Sequence, residues 1–124
     1  MGVAHENLGK IIEKMNKNPK ALQVFVTDIS GKPVNWNINF QFNLDAEEPF
    51  YLSIQDKKVN LNPGTMAEAE IIMSGDNKSI IKICQGKGDF THAISREEII
   101  VLKGKVMDII RLTRAITIVL KTPM

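Results

Sequence analysis

The chain has 124 residues, of which 44% are hydrophobic and 24% charged, the length and composition of one domain (1–124) able to bury its own core. Its net charge of +2 is spread through mixed stretches such as EKMNKNPK and SREEIIVLKGK, which excludes a basic stripe for nucleic acid. One cysteine, Cys84, excludes an internal disulfide and fits a reducing compartment.

The first residues, MGVAHENLGK, lack a hydrophobic signal core. No apolar run reaches the roughly 18 residues of a membrane span. A cytoplasmic protein is expected. Leu8, Ile11, Ile12 and Met15 recur at helical spacing and predict a helix over 6–16. Asn18-Pro19 reads as a cap and first-turn proline of a second helix, with Leu22, Phe25, Val26 and Ile29 as its stripe. A strand through Leu22, Val24 and Val26 is the competing reading. Ser30-Gly31-Lys32-Pro33 reads as a turn.

Asn35 to Asn43 reads as a strand, because Trp36, Ile38, Phe40 and Phe42 alternate with neutral polar residues. Phe50, Leu52 and Ile54 predict a second strand, Asp56-Lys57 a tight hairpin, and Val59 and Leu61 a third strand. Residues 68–74 predict a fourth, completing a four-strand meander, with Asp76 as the cap of a short helix carrying Ile80, Ile81, Ile83 and Cys84. Phe90 to Ile94 follows as a turn of helix or loop.

Ile99, Ile100, Val101 and Leu102 are four consecutive apolar residues, three of them β-branched, as in a strand covered on both faces. Gly104 stops it. Beyond it, at about 100° per residue, Ile109, Leu112, Ile116, Val119 and Leu120 share one wide helical arc. Met107 and Ile118 fall opposite, beside Arg111 and Arg114. This last helix is more apolar than one contact face requires. Burial in a homodimer and cover for a lipid-sized cavity both account for the excess. Strands come as a run with helices before and after. The class is therefore α+β, a five-stranded, mainly antiparallel sheet with helices on one face.

Catalytic patterns are missing. His5 and His92 have no partner at metal-ligand spacing. No GxSxG, HExxH or CxxC occurs, and Gly86-Lys87-Gly88 is too short for a phosphate loop. Asp45, Glu47 and Glu48 read as solvated loop carboxylates, and Cys84 as a buried apolar side chain without an activating base. No enzyme activity, metal or cofactor is expected. What stands out is uncharged bulk facing inward. Trp36, Phe40, Phe42, Phe50, Leu52, Ile54, Ile81, Phe90, Ile109, Ile110 and Ile116 are the groups available to line an interior.

From Ala69 to Leu112 the chain reads AEIIMSGDNKSIIKICQGKGDFTHAISREEIIVLKGKVMDIIRL. This stretch resembles the sterol carrier protein domain, also called the non-specific lipid-transfer domain. Gly86 stands at the glycine of its turn, Ala93 at the following small residue, and Gly104 after the strand. Upstream, VNWNINF and FYLSIQDKKVNL fit the same order. Two departures are visible. Arg96 and Glu97 stand where many members have glycine, and the chain ends Lys121-Thr122-Pro123-Met124 rather than in a peroxisomal SKL address. The resemblance implies a sheet with helices on one face and an apolar tunnel between them. That tunnel would take a sterol, fatty acid or acyl-CoA, with transient contact at a membrane surface and no catalytic residue. A non-catalytic interaction or dimerisation module with a solid core is the alternative.

Overall fold

The computed structural model describes residues 2–122. Helix α1 (Val3–Met15) buries Leu8, Ile11, Ile12 and Met15, the stripe set by its periodicity. Its first turn is capped from a distance: the Glu47 carboxylate accepts from the Ala4 and His5 amides, each at 3.1 Å. Helix α2 (Pro19–Gln23) is capped by the Asn18 side chain and stops after one turn. The chain then enters a hairpin of β1 (Val26–Ile29) and β2 (Lys32–Asn35), turned by Ser30 and Gly31 at φ 53° and 81°. The second helix is therefore much shorter than the stripe Leu22–Phe25–Val26–Ile29 suggested. The β-branched run that includes Val26, Thr27 and Ile29 goes to strand. Ile29 lies exposed at the tip side of the hairpin.

The main sheet comprises β3 (Ile38–Leu44), β4 (Phe50–Gln55), β5 (Lys58–Pro63), β6 (Ile71–Gly75) and β7 (Ile99–Lys103), in the order β5-β4-β3-β6-β7. Asp56 and Lys57, both at positive φ, form the two-residue β4–β5 hairpin. The sheet is mixed. Strand β6 does not continue the meander but crosses to the far side of β3 and pairs with it in parallel. Gln41 on β3 pins this crossover. Its amide nitrogen donates to the Gly64 carbonyl at 3.2 Å, and its Oε1 accepts from the Met66 N–H at 2.7 Å. That accounts for a buried glutamine on the sheet face away from the core.

Helix α3 (Asn77–Cys84) and helix α4 (Phe90–Ser95) are capped by Asp76 and Asp89. Helix α5 (Val106–Lys121) follows β7 through Gly104, which sits at φ +103°. A Cβ there would collide with Ile71 and the Glu70 carbonyl, so the stop is glycine for both conformation and space. Strand β7 is an edge strand, not one covered on both faces. Ile99 is buried, but Ile100 and Leu102 are 51% and 61% exposed. It pairs with β6 alone, and a bulge falls at Leu102, between the Met73–Val101 and Ile72–Lys103 pairs.

Candidate functional site: the interior beneath α1 and α5

Alternation along β3 and β4 turns Ile38, Phe40, Phe42, Phe50, Leu52 and Ile54 to one face. Helices α1 and α5 cover them with Leu8, Ile12, Ile109, Leu112 and Ile116, all in one contiguous cluster. Every hydrophobic member of that cluster is uncharged. The buried polar side chains among the described residues are His5, Gln41 and Ser79. His5 lies over Phe50, ring centroids 4.8 Å apart, and Phe42 stacks on Phe50 at 5.0 Å.

The structure brings eight of the eleven sequence-derived lining residues into the buried cluster: Phe40, Phe42, Phe50, Leu52, Ile54, Phe90, Ile109 and Ile116. Ile81 on α3 is half-buried at its flank, and Ile110 on α5 is half-buried but not packed against it. Trp36 is displaced. The predicted strand 35–43 breaks at Trp36 and Asn37, so its parity does not carry to the tryptophan. Trp36 is half-buried against Phe25, 6.0 Å between centroids, and meets Phe40 edge-on at 6.1 Å. The Arg111 guanidinium lies 4.3 Å from its ring centroid. Arg111 also donates from Nε to the Val24 carbonyl and from Nη2 to Thr27 Oγ1, both at 2.8 Å. Burial holds its guanidinium below the usual value, Asp108 opposing that shift and Arg114 adding to it. This clamp joins α5 to the β1–β2 hairpin, whereas helical spacing alone places Arg111 opposite the apolar arc and shows no partner for it. Trp36 at the start of an alternating run gave no sign of a cation partner 75 positions later.

The expected tunnel is not open at the inner face: Phe40, Phe42, Phe50, Leu52, Ile54 and Ile109 are each 0% exposed, so no water-sized space reaches these side chains. The open space lies outside this cluster. A groove of about 500 Å³ runs between α1, the entry to α2 and the end of α5, lined by Lys10, Glu13, Lys14, Lys17, Asn18, Pro19, Val119 and Thr122. That is within the range of about 300–1,000 Å³ typical of small-molecule sites. The Asn18 side-chain amide donates to Thr122 Oγ1 at 3.0 Å, tying the two walls together. Pro19, Val119 and the lysine stems supply apolar surface, and three ammonium groups stand at the rim. Val119 belongs both to the groove wall and to the buried cluster. The groove is thus one side chain from the interior. Sequence reading missed it, although Lys10 and Lys14 stand at i and i+4 on α1 and Lys17 follows in the turn after it.

Cys84 is buried on α3, where burial pushes its thiol up to about 12. Among the described residues there is no group of three or more His, Cys, Asp or Glu side chains placed to hold a metal ion. No helix there is long and apolar enough to cross a membrane.

Comparison with solved structures decides the fold. A UbiJ-SCP2 ubiquinone synthesis protein superposes with a TM-score of 0.68 at 10% identity, over 94% of this chain and 89% of that one. Sterol carrier protein 2 superposes at 0.64 and 11% identity, over 99% and 98%. The fold is that of the sterol carrier protein 2 domain. Palmitated SCP2L2 from Aedes aegypti has it too, with a TM-score of 0.63 at 15% identity over 94% of this chain and 95% of that one. No protein-family model matches the sequence, and no curated protein does. The likeness is one of fold, at 10–15% identity across these three structures.

Proposed function

We propose that the protein is a non-catalytic cytoplasmic lipid carrier that takes a single acyl chain or sterol between the sheet and helices α1 and α5. The observation that carries this reading is the uncharged, aromatic-rich inner face beneath α1 and α5, in a fold shared with a palmitated domain. Each methylene removed from water contributes roughly 0.8 kcal/mol. A bilayer offers the same chain a comparable gain, so exchange between protein and membrane is near balance, as carriage requires. Apolar contact is non-directional, which favours a broad range of ligands.

Since the interior is closed, entry requires the α1–α5 seam to part. The groove is the natural vestibule, because Val119 separates it from the cluster. Lys10, Lys14 and Lys17 would meet an anionic membrane surface during transient contact. Acquisition would then proceed from membrane to groove to interior. The test is extraction of the purified protein followed by mass spectrometry of the organic phase. A stoichiometric lipid supports the carrier, and a lipid-free protein that also fails to take up palmitate contradicts it.

One observation favours the second reading, an interaction module with a solid core. The inner-face aromatics Phe40, Phe42 and Phe50 are fully buried, which is what a solid core presents. A solid core predicts no saturable uptake of any lipid.

A further inference from the structure

The two edges of the main sheet are treated differently. At β5 the edge is closed by a side chain: Asn16 Nδ2 donates to the Val59 carbonyl at 2.7 Å, and the Val59 N–H donates to Asn16 Oδ1 at 2.9 Å. The amide imitates a neighbouring strand. Among the described residues no strand pairs with the outer side of β7, whose exposed side chains are Ile100 and Leu102, at 51% and 61%. A free apolar edge is a template for another strand. The charges around it are ordered. Glu97 and Glu98 precede the strand, and Lys103 and Lys105 follow it.

We propose that β7 is the contact between two copies of this chain, paired antiparallel about Val101 into one continuous sheet across a two-fold axis. A two-fold that brings one edge onto its own copy makes the strands antiparallel. The acidic flank of one strand, Glu97 and Glu98, then lies toward the basic flank of the other, Lys103 and Lys105. Ile100 meets Leu102 of the second copy. Acidic end lies on basic end twice, with the apolar pair between. In parallel pairing like charges would oppose one another. The bulge at Leu102 falls within the paired segment of both copies, so regular pairing is confined to the strand centre about Val101. A slip of one residue still sets the acidic end of one copy against the basic end of the other. A contact of one short strand and its flanks is small, so association is reversible and concentration-dependent.

The test is sedimentation velocity of the parent and four variants over a wide concentration range. The expected parent moves from monomer to dimer as concentration rises. Ile100→Lys places a lysine in the apolar pair at a solvent-exposed position, so the fold survives and the dimer is lost, with an unchanged thermal melt as the check. Glu97→Lys and Lys105→Glu each weaken self-association by about tenfold, because both symmetry-related pairs become repulsive. The double variant Glu97→Lys/Lys105→Glu restores it. Mixing the two single variants restores it as well, since each then meets its opposite. A parent that stays monomeric throughout overturns the proposal. So does a dimer indifferent to Ile100→Lys and to the charge exchanges.

Discussion

Arg111 shows how a charged side chain can organise an apolar region. Its guanidinium covers Trp36 and holds the Val24 carbonyl and Thr27 hydroxyl, so three separate segments depend on one planar fork. Lysine cannot reproduce that fork. Arg111→Lys should cost about 1–2 kcal/mol in chemical denaturation, from charged hydrogen bonds and a cation–π contact. The emission of Trp36, the only tryptophan, should lie to the blue of free indole in the parent and move to the red in the variant. Cys84 gives a second prediction at this scale. Its thiol keeps its proton to about 12 in the fold, against an ordinary value of 9.0. Thiol reagents should react slowly with the native protein at neutral pH. Above pH 9 the unfolded state releases the proton first, so stability should fall from there towards pH 12. Cys84→Ala should remove that part of the fall in a pH series of thermal melts.

At the scale of elements, close approach and connection decide more than propensity. Gly104 lets β7 turn into α5 against Ile71 and the Glu70 carbonyl. Gly104→Ala should therefore destabilise by about 1–3 kcal/mol, from backbone strain together with the collision, measurable as a lowered denaturation midpoint. The helices α1, α3 and α5 and the strands β3, β4 and β5 were legible because their periods are clean. Three features were not. The β1–β2 hairpin was hidden because Leu22, Phe25, Val26 and Ile29 happen to fall at helical spacing. The parallel pairing of β6 with β3 was hidden because a crossover leaves no mark in local pattern. Gln41, which makes the hydrogen bonds that hold the crossover, read only as one of the polar residues alternating with the apolar ones. The apparent two-sided burial of β7 was misread because a run of apolar residues looks the same at an exposed edge as in a sheet interior. The residues of the inner face were legible from alternation alone, except Trp36, whose parity was lost at the break before β3.

At the scale of the molecule, a sterol carrier protein 2 fold with a closed interior has two functional states available to it. The interior opens to an acyl chain through the α1–α5 seam, or it stays shut. Ile109 sits in the first turn of α5 and is completely buried. Ile109→Trp therefore separates the two. In an interior that opens, the added ring occupies space the ligand would use, and the fold adjusts with little loss. In a solid core it overpacks, at a cost of about 1–3 kcal/mol. The groove supplies an independent check. Substituting Lys10, Lys14 and Lys17 together by alanine should slow uptake from anionic vesicles while leaving the thermal melt close to the parent's, because all three stand at the rim.

The most direct measurement is titration of delipidated protein with a fluorescent fatty acid, parent beside Ile109→Trp, with a thermal melt of each. The carrier account predicts saturable binding by the parent at one site, sharply weakened in the variant, with similar melting temperatures. A parent that binds no fatty acid, beside a variant that melts much lower, would contradict it and leave the solid-core interaction module as the account that fits.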